Sequence, residues 1–190
     1  MDEIVKAAMA KWPNVPDCFG WLGLDQRGTW HMRDGRIQAQ GPFAPLPGET
    51  GVGAKGSALR HDKLIEFIHR NYLADEQGRW FFQNGPQRVF VELEVTPLIW
   101  RIQPDGRVTA HTGEDAGPVQ RALMDEAGRL YLQTALGLGL VHSADMVQAA
   151  DAVEQGRWVP ESVNARELPA MGGYVPSPAR MHETQGQTAS

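Results

Sequence analysis

The chain has 190 residues, 42% hydrophobic and 22% charged, the composition of a globular protein long enough to bury a proper core. Its net charge of −5 excludes the basic footprint that nucleic acid or anionic lipid demands. A single cysteine, Cys18, excludes an intrachain disulfide and a paired-cysteine metal knuckle.

The N-terminal MDEIVKAAMAKW opens on acids and lacks the apolar stretch of a signal peptide, so the expected location is the cytoplasm. Within it Ile4, Val5, Ala8, Met9 and Trp12 recur on a helical period, predicting a helix over 2–12 that Pro13 and Pro16 end. Residues 18–24 form a short apolar segment. Asp34-Gly35 between 29–33 and 36–39 reads as the turn of a small hairpin. Residues 41–53 (GPFAPLPGETGVG) hold four glycines and three prolines, which predicts a surface loop, mobile or wrapped over the domain.

A helix is expected from 61 or 62 to Ala74, with Leu64, Ile65, Ile68 and Tyr72 on its buried stripe and Asp62 as its cap or a favourable first-turn charge. A hairpin follows, Trp80–Gln83 and Gln87–Val95 around Asn84-Gly85. Along its second strand Val89, Val91, Leu93 and Val95 alternate with Arg88, Phe90, Glu92 and Glu94. Residues 98–103 and 107–111 pair around Pro104-Asp105-Gly106. A segment near 119–124 leads to a strand at 129–134, and Ser143 reads as the N-cap of a helix over 144–155. Apolar density falls from Glu161 on. The expected organisation is one α+β domain over 1–160, with a poorly packed tail over 161–190. Antiparallel hairpins would form a curved sheet or small barrel, packed by the central helix 62–74 and flanked by terminal helices.

One regularity repeats. Asp25-x-x-Gly28-x-Trp30, Asp75-x-x-Gly78-x-Trp80 and Asp125-x-x-Gly128-x-Leu130 recur at fifty-residue spacing. Aspartate bonds backbone amides across a turn and glycine supplies its left-handed residue, so the pattern reads as a reused β-turn or a duplicated unit. A calcium loop needs more acidic positions than any copy provides.

No cofactor motif survives inspection. Residues 51–57 (GVGAKGS) miss the phosphate-loop spacing, and the histidines at 31, 61, 69, 111, 142 and 182 lack metal-ligand spacing. Cys18, beside Phe19 and Trp21, reads as an inert apolar thiol. The candidate binding residues are Arg88, Glu92 and Glu94 on one strand face, with Trp30 and Trp80 as possible walls of a pocket.

The segments Gly28-Thr-Trp30-His-Met32, Gly56-Ser57-x-Leu59-x-His61, Asp75-x-x-Gly78-x-Trp80-Phe-Phe82, Pro86-Gln-Arg-Val89-x-Val91-Glu92-x-Glu94 and Asp125-x-x-Gly128-Arg-Leu130 resemble small uncharacterised proteobacterial families, domains of unknown function. The resemblance implies a compact α+β domain and transfers no activity. Two functions remain open. One is a non-catalytic module binding a small molecule or a protein partner, with no cofactor and no nucleic-acid or membrane partner. The other is a hydrolase-type enzyme using the acids of the 87–95 strand.

Overall fold

The computed structural model describes residues 1–188. In chain order it contains α1 (Glu3–Lys11), β1 (Cys18–Leu24), β2 (Trp30–Met32), α2 (Gly35–Gln38), β3 (Ser57–Ala58), α3 (Asp62–Arg70), β4 (Tyr72–Ala74), β5 (Trp80–Asn84) and β6 (Gln87–Leu93). There follow β7 (Leu98–Ile102), β8 (Val108–Ala110), β9 (Arg121–Met124), β10 (Leu130–Thr134), β11 (Gly137–Val141), α4 (Met146–Glu154), β12 (Pro160–Ser162), α5 (Leu168–Gly172) and α6 (Pro178–Thr188). The fold is α+β. Its strands form two open, six-stranded mixed sheets, not one curved sheet or a closed barrel. Two compact units divide the chain, 1–25 with 29–94 and 174–190, and 26–28 with 95–173.

The first unit carries the sheet β3-β2-β1-β6-β5-β4, in which β1 and β6 run parallel and every other pair is antiparallel. Its core gathers Leu24, Trp30, Ile68, Phe82, Phe90 and Val91. On α3, Phe67 meets Phe82 edge to face at 5.4 Å, the favoured aromatic arrangement. The second unit carries β12-β9-β10-β11-β7-β8, with parallel pairs at β7–β11 and β9–β12. Its centre is Trp100, fully buried, whose indole N–H donates to the Leu132 carbonyl at 2.8 Å.

The two sheets repeat one ladder. The first reads β2-β1-β6-β5-β4 where the second reads β8-β7-β11-β10-β9. Pairs Leu73–Phe81 and Phe82–Val89 recur as Leu123–Tyr131 and Leu132–Gly139. Pairs Leu22–Met32 and Leu24–Trp30 recur as Trp100–Ala110 and Ile102–Val108. At the parallel joint Leu22–Val91 recurs as Trp100–Val141. All three registers give the same equivalences up to a register shift in β1 between Cys18 and Leu22.

This ladder explains the repeated turn and revises its spacing. Asp25, Asp75 and Asp125 each accept the backbone N–H four residues on, at 2.9 Å. Gly28, Gly78 and Gly128 take φ of 76°, 76° and 74°, the left-handed region that favours glycine. In the ladder Asp75 and Asp125 are counterparts, but Asp25 corresponds to Gln103, whose turn places Gly106 at φ 82°. The fifty residues from Asp25 to Asp75 relate two non-equivalent turns.

Several local expectations change. Asp34 does not turn a hairpin: its carboxylate accepts from the Ile37 N–H at 3.0 Å and caps α2, while β2 pairs with β1. α3 stops at Arg70, and Tyr72 enters β4 instead of extending the helix. The cap of α3 is His61, whose Nδ1 accepts from Leu64 N–H at 3.3 Å, and of the two roles expected for Asp62 the structure shows the first-turn charge. On α1 only Val5 is buried, and Ile4 is 76% exposed. The strand β11 (GLGLV) lies where two glycines mask the β signal. On α4 the buried residues are Ala149 and Ala152.

The segment expected to be a poorly packed tail instead carries β12, α5 and α6. The reason is a few strong anchors at wide spacing: Trp158, Leu168, Tyr174 and Ser177 are all buried. Leu93 N–H donates to the Pro176 carbonyl at 2.8 Å, and Val175 N–H to that of Gly78 at 2.9 Å. Residues 189 and 190 lie outside the described residues.

Candidate functional site

The five candidates are dispersed within the first unit. Trp30 is a core residue, 1% exposed, donating its indole N–H to His69 Nε2 at 3.0 Å. Trp80 packs at 4.7 Å from the Tyr72 ring. Arg88 forms a two-pronged pair with Asp17 at 2.9 and 2.8 Å. Glu94 is engaged by Lys55 at 2.7 Å. Glu92 alone of the five lines a charged cavity of about 470 Å³, together with Arg33, Gln38, Glu49, Arg180 and Glu183.

The floor of this cavity is built by local structure. Because Asp34 starts α2 immediately after β2, Arg33 is turned inward and becomes 3% exposed. Its Nε donates to the Ala54 carbonyl at 2.8 Å, Nη1 to Gly20 at 3.2 Å, and Nη2 to Gly41. Two of these carbonyls bracket the Gly/Pro segment, so Arg33 fastens it to the unit. Phe43 completes the attachment, 1% exposed, with its ring in the space a side chain at Gly23 would fill: a Cβ there would stand 2.4 Å away. The loop is thus wrapped over the sheet.

Glu92, also 3% exposed, lies beside Gly23 in the parallel joint of β1 and β6. Its Oε2 accepts a short hydrogen bond from the Ser177 hydroxyl, and its Oε1 accepts from the Ala179 N–H at 3.0 Å. The carboxylate therefore caps α6, where a negative charge also suits the helix dipole. α6 is held further by the His182 ring stacked on Phe19 at 4.3 Å, which stacks in turn on Phe90 at 4.6 Å. At the rim Arg180 makes a two-pronged pair with Glu49, at 2.9 and 3.0 Å.

Burial raises the Glu92 carboxyl above its ordinary range and outweighs the bonds from Ser177 and Ala179 and the charge of Arg33; Glu183 pushes the same way as burial. Burial likewise lowers Arg33, against the pull of Glu92. Arg33 is therefore a buried cation held by neutral carbonyls, with no ion pair to a carboxylate among the described residues. Burial pushes the Cys18 thiol up, the direction of an unreactive thiol. Among the described residues no group of three or more histidine, cysteine, aspartate or glutamate side chains has metal-binding geometry, and no helix is long and apolar enough to cross a membrane.

Sequence reasoning reached Glu92 through strand alternation and missed Arg33, Ser177 and Arg180. Arg33 offers no pattern, and Ser177 and Arg180 lie more than eighty residues from Glu92.

The family model DUF2944, described as "Protein of unknown function (DUF2946)", matches residues 1–185. The chain belongs to that family. No curated protein matches the sequence. Among solved structures the chain is similar to a DUF1285 family protein from Silicibacter pomeroyi DSS-3, with TM-score 0.47 and 14% identity over 80% of this chain and 84% of that one. It is also similar to a DUF1285 family protein from Shewanella baltica OS155, with TM-score 0.43 and 18% identity over 69% of this chain and 91% of that one.

Proposed function

We propose that the first unit is a non-catalytic module that binds a small polar molecule in the cavity floored by Arg33 and Glu92. The observation that carries the reading is Arg33 itself. A guanidinium has five N–H groups, and three here are bonded to backbone carbonyls. A buried cation with donors left over beside an open cavity is a recognition group, since burying it without an acceptor costs several kcal/mol. The cavity volume of about 470 Å³ falls within the range of small-molecule sites.

The acid–base alternative needs Glu92 and Glu94 together at one cleft. Glu94 is held by Lys55 and does not line the cavity, and Glu92 is committed to capping α6, which favours binding over catalysis.

The test is a thermal-shift screen of polar metabolites on the full chain and on Ala179→Trp, whose indole would fill the cavity and leave the Ala179 N–H in place. A ligand at a hundred times its Kd stabilises by about 2.7 kcal/mol. The expected result is a compound that raises the wild-type midpoint and leaves that of Ala179→Trp unmoved. If no compound shifts the wild type, or the shift persists undiminished in the variant, the cavity is not a binding site.

A further inference from the structure

We infer that the ligand class is a small amino-carboxylate, its carboxylate on Arg33 and its ammonium between Glu92 and Glu183. The inference rests on the binding reading above and adds the chemistry of the occupant.

Each end follows from groups on the cavity wall. Arg33 presents two N–H groups beyond its three carbonyl bonds, and a carboxylate satisfies such a pair with charge-assisted hydrogen bonds. Arg180, the other cation on the wall, already has both prongs on Glu49. On the acidic side Glu92 has two of about four acceptor positions filled, by Ser177 and Ala179. Glu183 lines the same cavity and acts on Glu92 as a like charge. A cationic group between two carboxylates relieves that repulsion.

The same balance excludes other occupants. Three carboxylates and two arginines line the cavity, with one arginine already paired, so a phosphate dianion would meet net repulsion. Pro42 and Ala179 are the apolar side chains on its wall, which glycines and polar or charged groups otherwise line.

Calorimetric titration of the full chain distinguishes these classes. The probes are glycine, L-glutamine and γ-aminobutyrate, then acetate and butyrate without the amine, ethylamine without the carboxylate, and inorganic phosphate. The expected result is that at least one amino acid binds about tenfold or more tighter than either half-molecule. Arg33→Lys weakens it about tenfold or more, because a point charge does not replace the planar fork. Glu183→Gln, on the exposed face of α6, weakens it by about threefold or more and keeps the test available if Arg33→Lys fails to fold. Equal binding by acetate or butyrate, or binding of phosphate or ethylamine alone, overturns the amino-carboxylate class and leaves the cavity as a site. The class also falls if no amino acid binds while another compound gives a shift that Ala179→Trp abolishes. If nothing of any class binds, the cavity reading falls and takes this inference with it.

Discussion

The two units share a five-strand ladder and differ in what joins its halves. In the first, Arg33 to Asn71 inserts α2, the Gly/Pro segment, β3 and α3 between the β1–β2 hairpin and the β4–β6 meander. In the second, residues 111–120 bridge the corresponding gap with a loop. By ladder position Glu92 corresponds to His142, and Gly23 to Arg101, which pairs with Asp145 at 2.6 Å. One backbone frame thus carries a charged cavity in one unit and an ion pair in the other. The ladder supplies Glu92, and the insert and α6 supply the other charged groups of the cavity wall.

The largest expected effect tests whether the ladders are equivalent at their centres. Gly139 faces the Trp100 indole so closely that a Cβ would stand 2.5 Å from its Nε1 and 2.7 Å from the Leu98 carbonyl. By ladder position the first unit has Val89 where the second has Gly139, and Leu22 where it has Trp100. Gly139→Val should therefore destabilise by about 2 kcal/mol or more. Adding Trp100→Leu should leave the double variant less destabilised than the sum of the singles by about 1 kcal/mol. Additive costs in chemical denaturation would break the equivalence.

The turn aspartates give a graded second test. Asp125 is buried and accepts from the Ala127 and Arg129 amides, the Arg129 guanidinium and the Tyr131 hydroxyl, the last at 2.8 Å. Burial alone would raise its carboxyl, yet these donors hold it below the ordinary value. Asp125→Ala should cost about 2–3 kcal/mol and Asp75→Ala, with the same amide and arginine bonds but a slightly exposed carboxylate and no tyrosine donor, about 1 kcal/mol less. Asp105→Ala, on the surface, should leave the unfolding midpoint unchanged. Equal losses at all three positions would mean that the turn, not the burial of its acid, sets the energy.

The smallest effect concerns pH. Glu92 is raised in the folded state, so its contribution is fully present when it is protonated, below the ordinary value of 4.5, and is lost as pH climbs through the higher folded value. Glu92→Gln should therefore gain stability relative to wild type as pH rises from the ordinary value through the folded one, and keep a constant advantage above it. A difference independent of pH would show that Glu92 is not held against its charge.

What the sequence made legible was local. The turn glycines, the Asn84-Gly85 hairpin and the alternation of β6 each declare themselves within about ten residues, because turn φ values and strand period are short-range properties. The parallel joint of β1 with β6 leaves no such trace, since its partners are some seventy residues apart. Glu92 was legible as a strand-face acid but not as a buried one, because the residues that cover it lie in α6. Arg33 was unreadable for the opposite reason: Asp34-Gly35 is an equally good signal for a hairpin turn and for the helix cap that aims the arginine inward.

The return of the chain has a consequence for how the protein is made. The first unit closes its sheet only when β6 reaches β1, and it receives the cap on Glu92 only when Ser177 and Ala179 have been synthesised. Between those moments the ribosome produces the whole of 95–173. At about 5–20 residues per second, Glu92 and Phe90 wait several seconds without α6. A nascent chain released before α6 would retain most of the sheet and lack one wall of the cavity.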